Sequence, residues 1–225
     1  MSNVINLLFI PLLLSFLISY FVTPIVIKMA NKLRIMDDPK KNLHPKVIHT
    51  ISTPRGGGIP IFFAILITSL LFIPIDKYLI AILLGAFVIF VMGFLDDRYN
   101  LNPYLRIFLG FFGALIPIMS GIGISFLTNP LGGILDLSNP IISDIFALVW
   151  IVFMMNMLNM GAKGIDGQLS GVTVISALTI TALSFYYSAD ITQWPVILLT
   201  AITAGALLGF LPWHKFPQKI MPGYG

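Results

Sequence analysis

An all-α, polytopic integral membrane protein with about seven transmembrane helices is the fold class the sequence predicts, with the amino terminus outside and the carboxyl terminus cytoplasmic. Three observations predict it. The chain of 225 residues is 57% hydrophobic and only 10% charged, with a mean hydropathy of +0.96, whereas soluble domains run to about 45–50% apolar and about 25% charged. Its apolar residues gather into runs near the ~20 residues that a helix needs to cross a bilayer core. Its Lys and Arg residues fall almost entirely in alternate connecting segments. Cysteine is absent, which excludes disulfides, thiolate metal sites and a cysteine nucleophile. The three histidines, His44, His49 and His214, are too scattered to suggest a zinc site.

The predicted spans lie at 4–27, 57–75, 78–95, 105–124, 144–160, 170–188 and 194–211. Gly85, Pro117 and Gly205 fall inside them, which membrane helices tolerate because neighbouring groups satisfy the freed backbone. The first span has no basic segment before it, so it reads as a retained helix rather than a cleaved leader. Residues 28–56 form a basic cytoplasmic loop, and the turn-rich 125–143, SFLTNPLGGILDLSNPIIS, an extracytoplasmic loop or re-entrant piece. The whole of 1–225 is read as one transmembrane domain. Twelve of the thirteen Lys and Arg residues sit in one set of loops and only Lys77 in the other, so the first set is cytoplasmic. Set against five Asp, those twelve cations leave the inner face at +7; Lys77 against four Asp leaves the outer face at −3. Such an inner face suits anionic headgroups and phosphorylated ligands, although the insertion rule alone also produces it.

Two clusters on that face carry candidate chemistry. In FVIFVMGFLDDRYN (87–100), Asp96 and Asp97 close an outside-to-inside span, where the helix dipole disfavours negative charge by about 0.3–1 kcal/mol per group. Two carboxylates about 4 Å apart repel by about 4 kcal/mol at an effective dielectric of 20. They need cations, supplied by Arg98 and Arg106 or by a divalent metal, since Mg²⁺ is held by one or two carboxylates plus substrate phosphates. A solvated helix end balanced by those arginines is the alternative. In NMLNMGAKGIDGQLSG (156–171), Asn156 and Asn159 share a helix face and precede Lys163 and Asp166 in a glycine-rich turn. Amides in a membrane helix are costly unless paired, so they serve either function or helix packing. His49, Arg55 and the glycines 56–58 lead into the second span, where helix-start amides can meet an anion; the GxxxxGK[ST] spacing of a P-loop is missing. Trp213, Lys215 and Lys219 follow the seventh span as a substrate contact or an interfacial anchor.

PRGGG, FLDD with a basic residue nine positions beyond its second Asp, NxxN followed by a DG turn, and GFLPxxxxPQKIM, in that order, resemble the polyprenyl-phosphate N-acetylhexosamine-1-phosphate transferases of glycosyltransferase family 4. That group includes phospho-MurNAc-pentapeptide translocases and dolichyl-phosphate GlcNAc-phosphotransferases. The resemblance implies a membrane enzyme that moves a HexNAc-1-phosphate from a UDP-sugar to a polyprenyl phosphate and releases UMP, initiating cell-wall or surface glycan synthesis. It implies Asp96 and Asp97 as the catalytic acids, Asn159 and Asp166 at an Mg²⁺ that Mn²⁺ can replace, and His49, Arg55, Arg106, Asn156, Lys163 and Lys219 as substrate contacts. Expected partners are polyprenyl phosphate, a UDP-HexNAc and membrane lipids, with a homodimer allowed and no nucleic acid. The expected location is the inner membrane, with the site facing the cytoplasm.

The chain departs from the family pattern in three places. Only Asp166 remains of the usual NxxDGxDG pair, Gly223 stands where the pattern has the acid of its MGD motif, and Arg106 replaces a Lys. Later spans and a His-containing loop belong to the pattern beyond Gly225, so the chain is expected to be truncated at its carboxyl end. A noncatalytic lipid- or nucleotide-sugar-binding relative fits those acid losses. A transporter would place its polar groups near the bilayer midplane instead, and a CDP-alcohol phosphotransferase would need DGxxAR where DGQLSG stands.

Overall fold

Among the described residues, seven apolar helices occupy the predicted places. The computed structural model describes residues 2–38, 52–161, 165–187 and 193–223. The helices are α1 (Ser2–Leu33), α2 (Gly58–Phe72), α3 (Lys77–Tyr99), α4 (Pro103–Met119), α5 (Pro140–Gly161), α6 (Gln168–Tyr186) and α7 (Trp194–His214). Five of them, α1, α3, α5, α6 and α7, are long and apolar enough to cross a membrane, and the protein is a multi-pass membrane protein. The other two are shorter than the expected spans. At 15 and 17 residues, α2 and α4 extend about 22 and 26 Å at 1.5 Å per residue, against a hydrocarbon core about 30 Å thick. The chain leaves α2 at Ile73, extended ahead of Pro74, and leaves α4 at Ser120 and the left-handed Gly121.

The core is built around α7, which lies between α1 and α6 and also touches α2. Close approach to α1 comes from Gly205 and Gly209, four residues apart on one face; a Cβ at either would run into the backbone carbonyl of Leu12 or Phe16. Small residues at this spacing let membrane helices pack backbone to backbone. Opposite them, Ser15, Ser19 and Thr23 are fully buried on α1, and Ser15 Oγ donates to the Ile202 carbonyl at 2.7 Å. Gly209→Leu is expected to cost about 3 kcal/mol, the upper range for forced overpacking, because backbone cannot yield as a side-chain tip can. A thermal-melting shift of the detergent-solubilised protein, read beside the isosteric surface change Leu71→Met, checks this.

The turn-rich segment is ordered differently from a plain loop. Strands β3 (Phe126–Thr128) and β4 (Ile134–Asp136) pair antiparallel across a turn that needs the positive φ of Gly132 and Gly133. Asn139 then begins α5, its carboxamide accepting the Ile141 amide. On the other face, β1 (Met36–Asp37) pairs with β2 (Thr53–Pro54), so the ends of the long basic loop are held together.

Candidate active site

The Asp pair lies in the last turn of α3, and the structure gives its members different surroundings. Asp96 is fully buried. Its Oδ1 accepts the Leu101 amide at 2.8 Å and lies 3.2 Å from Arg106 Nε, while Arg106 Nη2 donates to the Leu101 carbonyl at 3.1 Å. Left-handed Asn100 ends α3, and the Asn102 carboxamide caps α4 by accepting from Tyr104 N. Asp96 therefore latches the α3–α4 turn, and a guanidinium and an N–H offset the helix dipole that opposes it. Gly85 and Gly113 bring the two helices close enough for the latch to reach. The structure thus bears out the need for a cation and spends Arg106 on it. Arg106→Leu is expected to destabilise the fold by about 3 kcal/mol, the lower end for leaving a buried charge without its partner, since the Arg106 side chain keeps 19% exposure. Chemical denaturation of that variant beside Arg106→Lys checks it.

Asp97 is 7% exposed and faces the segment that follows α7. This strap, residues 215–223, touches the sequence motifs in order. His214 Nδ1 and Ser170 Oγ lie 2.8 Å apart at its start, both side chains fully buried. Lys215 packs on Gly167, which starts α6 at a φ of 81°. Gln218 N–H donates to Asp166 Oδ2 at 3.1 Å. Met221 N–H donates to the Pro54 carbonyl at 2.8 Å, the Met221 carbonyl accepts from Gly57 and the Pro222 carbonyl from Gly58, both at 2.9 Å. Gly223, at a φ of 74°, comes last, and a Cβ there would overlap the Asp97 carboxylate. Position 223 is therefore no seat for an acidic side chain. The glycine that the sequence suggested had replaced an acid is the residue that lets the backbone reach Asp97.

The remaining candidates divide. Asp166 joins Asp97 along the strap. Arg55 Nη2 is 2.7 Å from Asp37 Oδ1, and Arg55 N–H donates to the Ile35 carbonyl, so this cation braces the loop ends. Asn156 Nδ2 donates to the Val152 carbonyl of its own helix at 2.8 Å, a bond within α5 rather than between helices. Asn159 is half-buried one turn further along α5. The Lys219 ammonium lies 5.2 Å above the Trp213 ring. Both line a cavity of about 550 Å³ with Lys28, Asn31, Thr53 and Gln218. His49 and Lys163 lie outside the described residues. Sequence reading missed Gln218, Ser170 and His214; a buried hydroxyl and imidazole flanking the DG turn and the end of the last helix were the available signal.

Carboxylate oxygens are the hard donors that Mg²⁺ prefers. Among the described residues no three acids or histidines form a ready metal cluster, but Mg²⁺ needs only one or two carboxylates when substrate phosphates complete its shell. Asp97, a buried carboxylate packed against the strap at Gly223, supplies one such carboxylate. Asp96 is committed to the turn.

A family model described as glycosyl transferase family 4 matches residues 79–224. The chain is 28% identical over 222 residues to the probable undecaprenyl-phosphate N-acetylglucosaminyl 1-phosphate transferase of Bacillus subtilis, covering 94% of this chain and 56% of that protein. It is 30% identical over 226 residues to the putative UDP-N-acetylglucosamine–dolichyl-phosphate N-acetylglucosaminephosphotransferase of Saccharolobus solfataricus, with 95% and 65% covered. With the phospho-N-acetylmuramoyl-pentapeptide-transferase of Enterococcus faecalis it shares 28% over 233 residues, with 96% and 70% covered. The chain spans about half the length of the first of these relatives.

Proposed function

The chain belongs to glycosyl transferase family 4, and on that premise we propose that the protein transfers a HexNAc-1-phosphate from a UDP-sugar to a polyprenyl phosphate, releasing UMP. The observation that carries the reading is the strap, which joins the buried Asp97 carboxylate to the glycine-rich starts of α2 and α6. The Gly57 and Gly58 amides donate to the strap rather than to an anion, so the phosphates are met by side chains, and the relatives are named for undecaprenyl- or dolichyl-phosphate N-acetylglucosamine phosphate transfer. In the proposed step an oxygen of the lipid phosphate attacks the sugar-bearing phosphorus. The new P–O bond forms as the bond to the uridine-side phosphate breaks, and UMP departs with the electron pair. Asp97 orients the lipid phosphate and takes its proton if that phosphate arrives protonated. Asp166, held by the Gln218 amide, sits at the nucleotide end. Mg²⁺, or Mn²⁺, is proposed to be held by Asp97 with help from Asn159 and Asp166, and neutralises phosphate charge when bound.

The same reading takes seven spans, α2 and α4 included, with the amino terminus outside and the site at the cytoplasmic face of the inner membrane. That orientation rests on the twelve cations of the inner loops. The test is the full-length protein in liposomes with undecaprenyl phosphate, Mg²⁺ and a panel of radiolabelled UDP-HexNAc donors. The expected result is labelled lipid with equimolar UMP; folded protein that labels no lipid from any donor overturns the reading.

A further inference from the structure

Running down α6 toward the DG turn, Ser170, Gly167 and Asp166 meet His214, Lys215 and Gln218 in turn. The two segments are antiparallel, zipped from a buried end at Ser170–His214 to an open end at Asp166. The buried end is unusual for the interior of a membrane protein, because a hydroxyl and an imidazole are costly there unless they bond. They bond to each other through His214 Nδ1, and His214 Nε2 has no hydrogen-bond partner among the described residues. The contact joins α6 to α7 at the point where both chains leave their helices. Nothing in the transfer step uses either group.

We propose that Ser170 and His214 are positioning residues, a brace that holds the DG turn against the strap and thereby fixes the Asp166 carboxylate relative to Asp97. One hydrogen bond serves because, among the described residues, the zipper shows one further polar closure, Gln218 N–H to Asp166. Without the brace the turn is held by that bond and by apolar packing of Gly167 on Lys215 and Leu211. The rest of the strap is anchored separately by the Gly57, Gly58 and Pro54 backbone bonds. Loss of the brace therefore loosens one half of the strap and not the other.

The role in catalysis rests on the proposed function, but the brace is read without it, by hydrogen–deuterium exchange of the full-length protein. In Ser170→Ala the Gln218 amide is expected to exchange about tenfold faster, the scale of one intramolecular hydrogen bond, with the Gly57 and Gly58 amides unchanged. His214→Asn alone, which keeps a polar group near the place of Nδ1 for the Ser170 hydroxyl, is expected to keep exchange at Gln218 slow. In the transfer assay Ser170→Ala is expected to raise KM for the UDP-sugar about tenfold with kcat little altered. Unchanged exchange at Gln218, or equal acceleration at Gly57 and Gly58, overturns the brace. Faster exchange at Gln218 in a protein that transfers no sugar leaves the brace standing and removes the transferase reading.

Discussion

Asp97→Asn is expected to lower transfer by about 10³-fold, within the range for loss of a positioned acid–base group, while melting temperature stays near that of the parent protein. The substitution keeps the shape beside Gly223 and removes the charge and the basicity. Asp96→Asn should behave in the opposite way. Its carboxamide oxygen can still accept the Leu101 amide, but the partner of Arg106 loses its charge, so stability falls while much of the chemistry survives. Measuring kcat and thermal unfolding on both variants separates a reacting carboxylate from a latching one. Equal kinetic losses at equal stability would contradict the division of labour that the α3–α4 turn and the strap impose.

Gly223→Ala is expected to reduce activity by about 100-fold. Two costs combine: an L-residue with a side chain at a φ of 74° carries about 1–2 kcal/mol of strain, and the new methyl group overlaps the Asp97 carboxylate. The overlap is relieved by turning the Asp97 carboxylate out of its place beside the strap. Steady-state kinetics of Gly223→Ala beside Gly171→Ala, a helical position with open space around it, checks the claim. A Gly223→Ala protein as active as the Gly171→Ala control would show that the strap does not approach Asp97 in the working enzyme.

What the sequence disclosed depended on whether a contact is encoded in side-chain type and spacing. The helices were legible because apolar runs and breakers are local, and even there the ends of α2 and α4 came earlier than hydropathy suggested, where Ile73 and Ser120 leave helical hydrogen bonding. The demand for a cation near the Asp pair was legible from electrostatics and is met by Arg106 nine residues on. The destination of Arg55 was not legible, because Asp37 lies across a long loop and only the β1–β2 pairing brings them together. Asn156 satisfies its amide on its own helix, a competitor that every helical Asn carries. The strap escaped notice for a different reason. Its bonds run between backbone groups of glycines, prolines and Met221, and backbone pairing leaves little mark on residue type beyond the glycines that permit it. Gly223 left such a mark, and only its φ and its neighbour reveal what the glycine is for.

The central claim is that the strap carries its last glycine to the buried acid of α3 and so gathers distant motifs into one site. The protein contains no cysteine, so a pair introduced as Asp97→Cys with Gly223→Cys is a clean reporter. Cysteine extends one heavy atom beyond Cβ, so the pair occupies the space where a Cβ at 223 meets the Asp97 carboxylate. Mild oxidation of the full-length protein in membranes is predicted to join the two within one chain, seen by mass spectrometry as a disulfide-linked peptide that reduction releases. Free thiols at both positions after oxidation, under conditions that join an Asp37→Cys, Thr53→Cys control pair across the β1–β2 ladder, would contradict the claim.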